Sequence, residues 1–154
     1  MLDAHVTRTH ESRHGATLTI GGDRCRVLVA AAQTGGSLSV LEWQGSAPGG
    51  PPLHLHHDQD EVFIVEEGQY LFQVGEQQHR LGPGDTIFLP RGVPHGFCQL
   101  GASGRLRYLY TPAGRMEAFF AALASVDGPP GPAAAEALFA AHGMQVVGPP
   151  LQPV

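Results

Sequence analysis

Residues 54–61 read HLHHDQDE, and residues 84–97 read GDTIFLPRGVPHGF. Between them the chain alternates apolar with polar residues and is interrupted at Glu67-Gly68, Gly75-Glu76 and Gly82-Pro83-Gly84-Asp85. A period of two marks half-buried strands, and glycine-containing pairs between such runs mark tight turns. This stretch therefore predicts strands over 53–57, 61–66, 69–74, 78–81, 86–90 and 96–100, with the three interruptions as hairpin turns. Working outward, similar runs predict strands over 16–20, 24–32, 37–44 and 105–110. The strand–helix–strand alternation that would build a parallel sheet is missing. An all-β, antiparallel closed barrel or double sheet follows, because such a topology hides its strand edges.

The same stretch carries the chemistry. A strand sends alternate side chains to one face, so His54 and His56 project together and His57 points away. Asp58-Gln59-Asp60 supplies turn-forming polar residues, after which the chain can reverse and bring Glu61 beside the histidine pair. Phe63 and Val65 share the parity of Glu61 and line the same interior. His95 follows Pro90-Arg91-Gly92-Val93-Pro94, where two prolines and a glycine restrict the backbone. Gly92 is expected at positive φ, which glycine adopts without steric cost. His54, His56, Glu61 and His95 can thus close on one divalent transition metal. Imidazole nitrogen and carboxylate oxygen suit Fe, Mn, Ni, Cu or Zn. Four protein ligands on an octahedral ion leave two positions open, which suits catalysis or substrate binding better than a structural role. Glu61 is the candidate catalytic group, as a base for a substrate proton. No other cofactor is indicated.

Bulk properties exclude several other classes. The chain has 154 residues, a formal net charge of −5, and nine basic residues, all of them arginine. Such a balance offers no footprint for nucleic acid. No run of about 18 apolar residues exists to span a membrane. The opening MLDAHVTRTHESRHGA lacks an apolar secretory core, so a cytoplasmic location is expected. Cys25 and Cys98 then stay reduced. His5, His10 and His14 belong to a polar N-terminal arm, and His79 and His142 to the surface. Arg91 is expected as a solvated rim residue.

After Tyr110 the pattern changes. Met116, Phe119, Phe120 and Leu123 recur at helical spacing, and residues 133–142 form an Ala-rich second helix that stops at Gly143. Both helices are expected to pack outside the barrel, with residues 148–154 extended or disordered. One domain over 1–154 is expected, with a barrel core over about 16–110 and a helical tail over about 112–154.

With these residues in view, the chain resembles the cupin superfamily. The first motif of that family is matched by His54-x-His56, four residues, Glu61, six residues, Gly68. The second is matched by Gly84, five residues, Pro90-x-Gly92, two residues, His95 and three further residues. The sequence departs from the family at two positions: Pro48 stands where a glycine is expected, and Gln99 where an asparagine is expected. Neither change removes a ligand. The resemblance implies a jelly-roll barrel holding one metal through His54, His56, Glu61 and His95. The tail, ending in GMQVVGPP, is similar to single-domain bacterial cupins related to quercetinase. That similarity implies a homodimer and a metal-dependent dioxygenase acting on a small enolic or phenolic substrate. Phe63, Phe72, Phe88 and Phe97 are the candidate pocket lining, within a barrel whose other aromatics include Trp43 and Tyr70. Two other functions remain open. One is a non-oxidative isomerase, decarboxylase or lyase working by Lewis-acid polarisation. The other is a small-molecule-binding module without turnover.

Overall fold

In the computed structural model, which describes residues 1–13 and 15–153, the alternating runs form antiparallel strands. They are β1 (Leu18–Ile20), β2 (Asp23–Val29), β3 (Ser39–Gly45), β4 (Pro52–His56), β5 (Asp60–Glu67), β6 (Tyr70–Val74) and β7 (Gln77–Leu81). The series continues with β8 (Thr86–Leu89), β9 (His95–Gln99), β10 (Gly104–Thr111) and β11 (Met144–Pro150). Two helices, α1 (Met116–Ala124) and α2 (Pro132–Ala140), lie between β10 and β11.

The strands divide into two sheets, in the orders β1-β2-β3-β10-β5-β8 and β11-β4-β9-β6-β7. From β4 to β10 the chain repeatedly crosses from one sheet to the other, as in a jelly roll. Two expected hairpins are corrected by this topology. β5 and β6 lie in opposite sheets, and so do β7 and β8, so Glu67-Gly68 and Gly82–Asp85 are crossings between sheets. Gly75-Glu76 does close a two-residue hairpin, with Val74 opposite Gln77. The sequence signal for a turn is the same in both cases, because a turn residue reports local backbone shape and not the partner of the next strand. Gly68 sits at φ +86°, and a Cβ there would lie 2.7 Å from the Ser103 carbonyl oxygen. The crossing therefore requires glycine.

The inner faces follow the period of two. Along β5, Glu61, Phe63 and Val65 are buried; along β10, Leu106, Tyr108 and Tyr110 are buried. Phe63, Val65, Leu106, Tyr108 and Tyr110 share one core cluster with Leu41, Tyr70 and Phe72. Burial of each large side chain stabilises the fold by roughly 1.5–3 kcal/mol. The aromatic stripe of α1 buries Met116, Phe119 and Phe120, and α2 buries Phe139. Gly143 ends the second helical segment at φ +79°. The tail does more than pack outside, however. Met144–Pro150 is a strand that pairs antiparallel with β4 and places Met144 opposite His56. Its two prolines and a glycine disguise it as a loop, and β11 is an edge strand, where proline is tolerated. No helix among the described residues is long and apolar enough to cross a membrane. Cys25 and Cys98 are buried and unpaired. His14 and Val154 lie outside the described residues, so the readings for those two positions are not addressed by the structure.

Candidate metal centre

Three of the four residues singled out above come from the five-stranded sheet and one from the sheet opposite. His54 and His56 project inward from β4, while His57 is exposed just beyond the end of that strand. His95 begins β9 and stands directly opposite His54 in the β4–β9 pair. Glu61 enters from β5, across the barrel. The four side chains are brought together, with one potential ligand atom from each lying within 4.8 Å of the others. All four residues are 1–8% exposed.

Two local devices hold the arrangement. Pro90 to Val93 forms a turn closed by a Val93 N–H to Pro90 carbonyl bond of 3.3 Å, with Gly92 at φ +76°. Glycine in the third place of such a turn is what a type II geometry requires. The Gly92 N–H then donates to the His56 carbonyl at 2.7 Å, which ties the His95 loop to the strand of the histidine pair. Arg91 also secures that loop. Its backbone N–H and its guanidinium bond the Asp60 carboxylate at 2.9–3.1 Å, next to Glu61. Arg91 is thus half-exposed and tied to a neighbouring strand, and its partner Asp60 is held below the usual carboxylate range by it.

The imidazoles are oriented for a shared ion. His54 Nδ1 donates to the Pro52 carbonyl at 2.8 Å, and His95 Nδ1 to the Val93 carbonyl at 3.2 Å. Each bond leaves Nε2 as the free acceptor, the arrangement in which histidine ligates metals. His56 Nε2 and His95 Nε2 stand 3.2 and 3.1 Å from Glu61 Oε2. Yet these three atoms are buried and make no well-formed hydrogen bond among the described residues. Buried polar atoms left without partners are costly and rare. Separations of this size suit neighbouring ligands on one ion, because two atoms each about 2.1 Å from a metal and at right angles are about 3 Å apart. The donor set therefore fits a borderline divalent metal, and the cluster could bind one.

Two residues beside the cluster carry no motif of their own. Tyr110 faces Glu61 from the paired position on β10, and burial, with the Glu61 charge adding to it, pushes its hydroxyl well above the ordinary pKa of 10. Phe139 of α2 packs edge-on against the His54 ring, with centroids 5.1 Å apart. The inward parity of Leu106, Tyr108 and Tyr110 was a usable signal for the first. Phe139 had none, since only the docking of the tail brings it near. Of the aromatic residues expected to line a pocket, Phe63, Phe72 and Phe97 form a mutual cluster with centroids 5.3–5.6 Å apart. Phe88 is corrected: it is 58% exposed on the outer side of β8, opposite in parity to buried Leu89.

The first motif departure also has a local solution. Gly49 exchanges backbone bonds of 3.1 and 2.8 Å with Gln99, and a Cβ on Gly50 would lie 1.8 Å from the Phe97 carbonyl. The close approach to β9 is thus made one and two residues beyond Pro48. Gln99 is buried, its side-chain oxygen accepting from the Tyr70 hydroxyl at 3.3 Å and its amide donating to Gly101 at 2.9 Å.

The Cupin domain family matches residues 42–112, the span that holds all four clustered residues. Residues 42–112 of the chain belong to the cupin superfamily. This cupin is 30% identical over 97 residues to a quercetin 2,3-dioxygenase of Bacillus subtilis, a match covering 62% of this chain and 28% of that protein. An uncharacterized protein of Streptomyces coelicolor is 30% identical over 56 residues, covering 36% of this chain and 53% of the other. The cupin thus spans well under two thirds of the length of these relatives. Among solved structures, KdgF from Halomonas sp. superposes with a TM-score of 0.62 at 17% identity, covering 71% of this chain and 94% of that one. An RmlC-like cupin from Shewanella frigidimarina gives 0.58 at 23% identity, covering 72% and 93%. These two likenesses are likenesses of fold.

Electrostatics make the cluster acid-sensitive. Burial, with His95 and His56 adding to it, lowers the pKa of His54 from 6.5 to about 3. For Glu61, burial acts to raise the pKa, but His56 and His95 outweigh it and hold the carboxyl far below its ordinary 4.5. Between pH 6.5 and about 3 the unfolded chain protonates His54 while the folded chain does not. Stability contributed by this neutral imidazole is therefore complete above that window and is lost as pH falls through it, at up to about 1.4 kcal/mol per pH unit. Glu61 acts in the same direction below pH 4.5, where only its unfolded form takes up a proton. The metal-free cupin is expected to melt progressively lower between pH 7 and pH 4, beyond the decline of a His54→Gln variant. Equal pH dependence in the two proteins, followed by circular dichroism, would contradict this account.

Proposed function

We propose that this cupin is a mononuclear metal-dependent dioxygenase acting on a small enolic or phenolic molecule. The observation that carries the proposal is the set of inward-facing, hydrogen-bond-deficient atoms of His56, Glu61 and His95 at the end of an aromatic barrel interior. In this reading His54, His56, Glu61 and His95 hold one divalent metal. The bound ion supplies Lewis acidity and, for a redox-active metal, a place where dioxygen and an electron-rich substrate meet.

The protein's own groups do the rest. Glu61 accepts the proton of the substrate hydroxyl as that oxygen enters the site, with Tyr110 standing opposite it on β10. The Pro52 and Val93 carbonyls fix the two imidazoles they bind, so neither ring has to reorient during turnover. Phe63, Phe72 and Phe97 keep water away from the reacting end of the barrel. The partial match to a quercetin 2,3-dioxygenase supports the oxygen-dependent version over a purely Lewis-acid one.

The test is oxygen consumption by protein shown to be loaded with iron or nickel, presented with a panel of flavonols and β-diketones. Uptake with one substrate class, lost on Glu61→Gln, is the expected result. Turnover that persists with zinc in the absence of oxygen would replace the oxidative assignment by a lyase or isomerase. No turnover with any panel member would overturn it.

A further inference from the structure

The outer face of the six-stranded sheet carries a feature unconnected with the metal centre. Here β2, β3 and β10 run side by side, and their outward residues align in rows across the strands. One row is Arg26–Glu42–Arg107, the next is Arg24–Gln44–Arg105. The first row is self-neutralising. Arg26 donates twice to Glu42 at 2.9–3.0 Å, and Arg107 lies 3.6 Å from Glu42 and 3.4 Å from Glu66. The second row repeats the pattern with an uncharged amide in the middle. Arg24 and Arg105 have no carboxylate partner among the described residues. Arg105 Nε is buried and makes no hydrogen bond there.

This second row lies in a groove that the N-terminal arm also lines. The N-terminal arm lies along the sheet, bonded through Thr7 Oγ1 to the Leu28 carbonyl at 2.7 Å and through the Arg8 and Glu11 carbonyls to Arg26. Between arm and sheet is a groove of about 760 Å³. Arg24, Gln44 and Arg105 line one end, Leu28, Val29 and Val40 the other, and the self-neutralised Arg26–Glu42–Arg107 row lies between them. The four residue steps from Gln44 to Val40 span about 13 Å along the strand. Its volume falls in the range of small-molecule sites, and the chain as a whole is acidic, so the charge is a local arrangement.

We propose that this groove binds a small organic phosphate, its phosphoryl group in the Arg24–Gln44–Arg105 row and its apolar body over Leu28, Val29 and Val40. Two guanidiniums with no internal counterion match a doubly charged oxyanion better than a carboxylate, and their planar forks fit phosphoryl oxygens. Gln44 adds amide donors where a glutamate would repel the ligand.

The test is calorimetric titration of the full chain with octyl phosphate, whose chain is long enough to reach from one end of the groove to the other, at low salt and pH 8, where the phosphoryl group is a dianion. Saturable binding with Kd below about 1 mM is expected, weakened about tenfold or more by Gln44→Glu, which recreates the neutralised pattern of the adjacent row. Arg105→Ala should weaken it similarly, and nonanoate should bind more weakly than octyl phosphate. Gln44→Glu is not expected to lower the melting temperature or the metal content, so its readout is separate from folding and from the metal centre. Absence of saturable binding, or undiminished affinity in Gln44→Glu, would overturn the site. Inorganic phosphate binding as tightly as octyl phosphate would overturn the part assigned to the apolar end.

Discussion

His56→Ala protein, purified and metal-loaded beside the parent, is expected to hold almost no divalent ion after gel filtration. His56 is 1% exposed, and its Nε2 has no hydrogen-bond partner among the described residues to satisfy it in place of a metal. Removing a group that merely hydrogen-bonds a ligand costs about ten- to hundredfold in affinity, so loss of a ligand itself should cost more than about hundredfold. The neighbouring His57→Ala provides the control, because that side chain is exposed just beyond the end of β4. It should keep about one ion per chain. Elemental analysis and competition with a chelator read the result. Equal metal content in both variants would remove the basis for the centre. Retained melting temperature in metal-free His56→Ala would show that the loss is one of binding and not of folding.

The second large effect is expected in the barrel interior. Phe72 is fully buried, and its ring lies 5.3 Å from Phe63 and 5.6 Å from Phe97. Phe72→Ala should cost about 3–5 kcal/mol, the sum of lost transfer energy and an unfilled cavity. For a chain of this size that corresponds to a melting temperature lower by roughly 10 °C or more. Phe88→Ala, on the exposed side of β8, should stay within about 0.5 kcal/mol of the parent. A loss below about 1 kcal/mol for Phe72→Ala in urea unfolding would mean that the ring borders open space and not packed core. Phe72 would then belong to a substrate cavity.

How much of this was readable beforehand differs from element to element. The alternation from Glu61 to Val65 was legible because strand periodicity does not depend on what lies opposite; the inward residues are the ones the pattern marks. The turn at Gly92 was legible for the same reason, since two prolines and a glycine constrain φ locally. Phe88 was misread because an aromatic residue in a four-residue strand carries no sign of which face is inner. Met144–Pro150 was missed because glycine and proline suppress the strand signal, and only pairing with β4 creates it. Glu67-Gly68 was read as a hairpin because glycine specifies the bend and leaves the partner of the next strand open.

From the order of residues alone came the barrel class, the ligand types and the parity that aims His54 and His56 together, all consequences of short-range backbone geometry. The folded chain decided matters that depend on distance in space. It set Glu61 across the barrel from three histidines, placed Tyr110 opposite it, laid Phe139 against His54, and aligned Arg24, Gln44 and Arg105 in one row on the far face. The reason is physical: which strands become neighbours is fixed by burying the whole inner surface at once, a condition that no local window of sequence expresses.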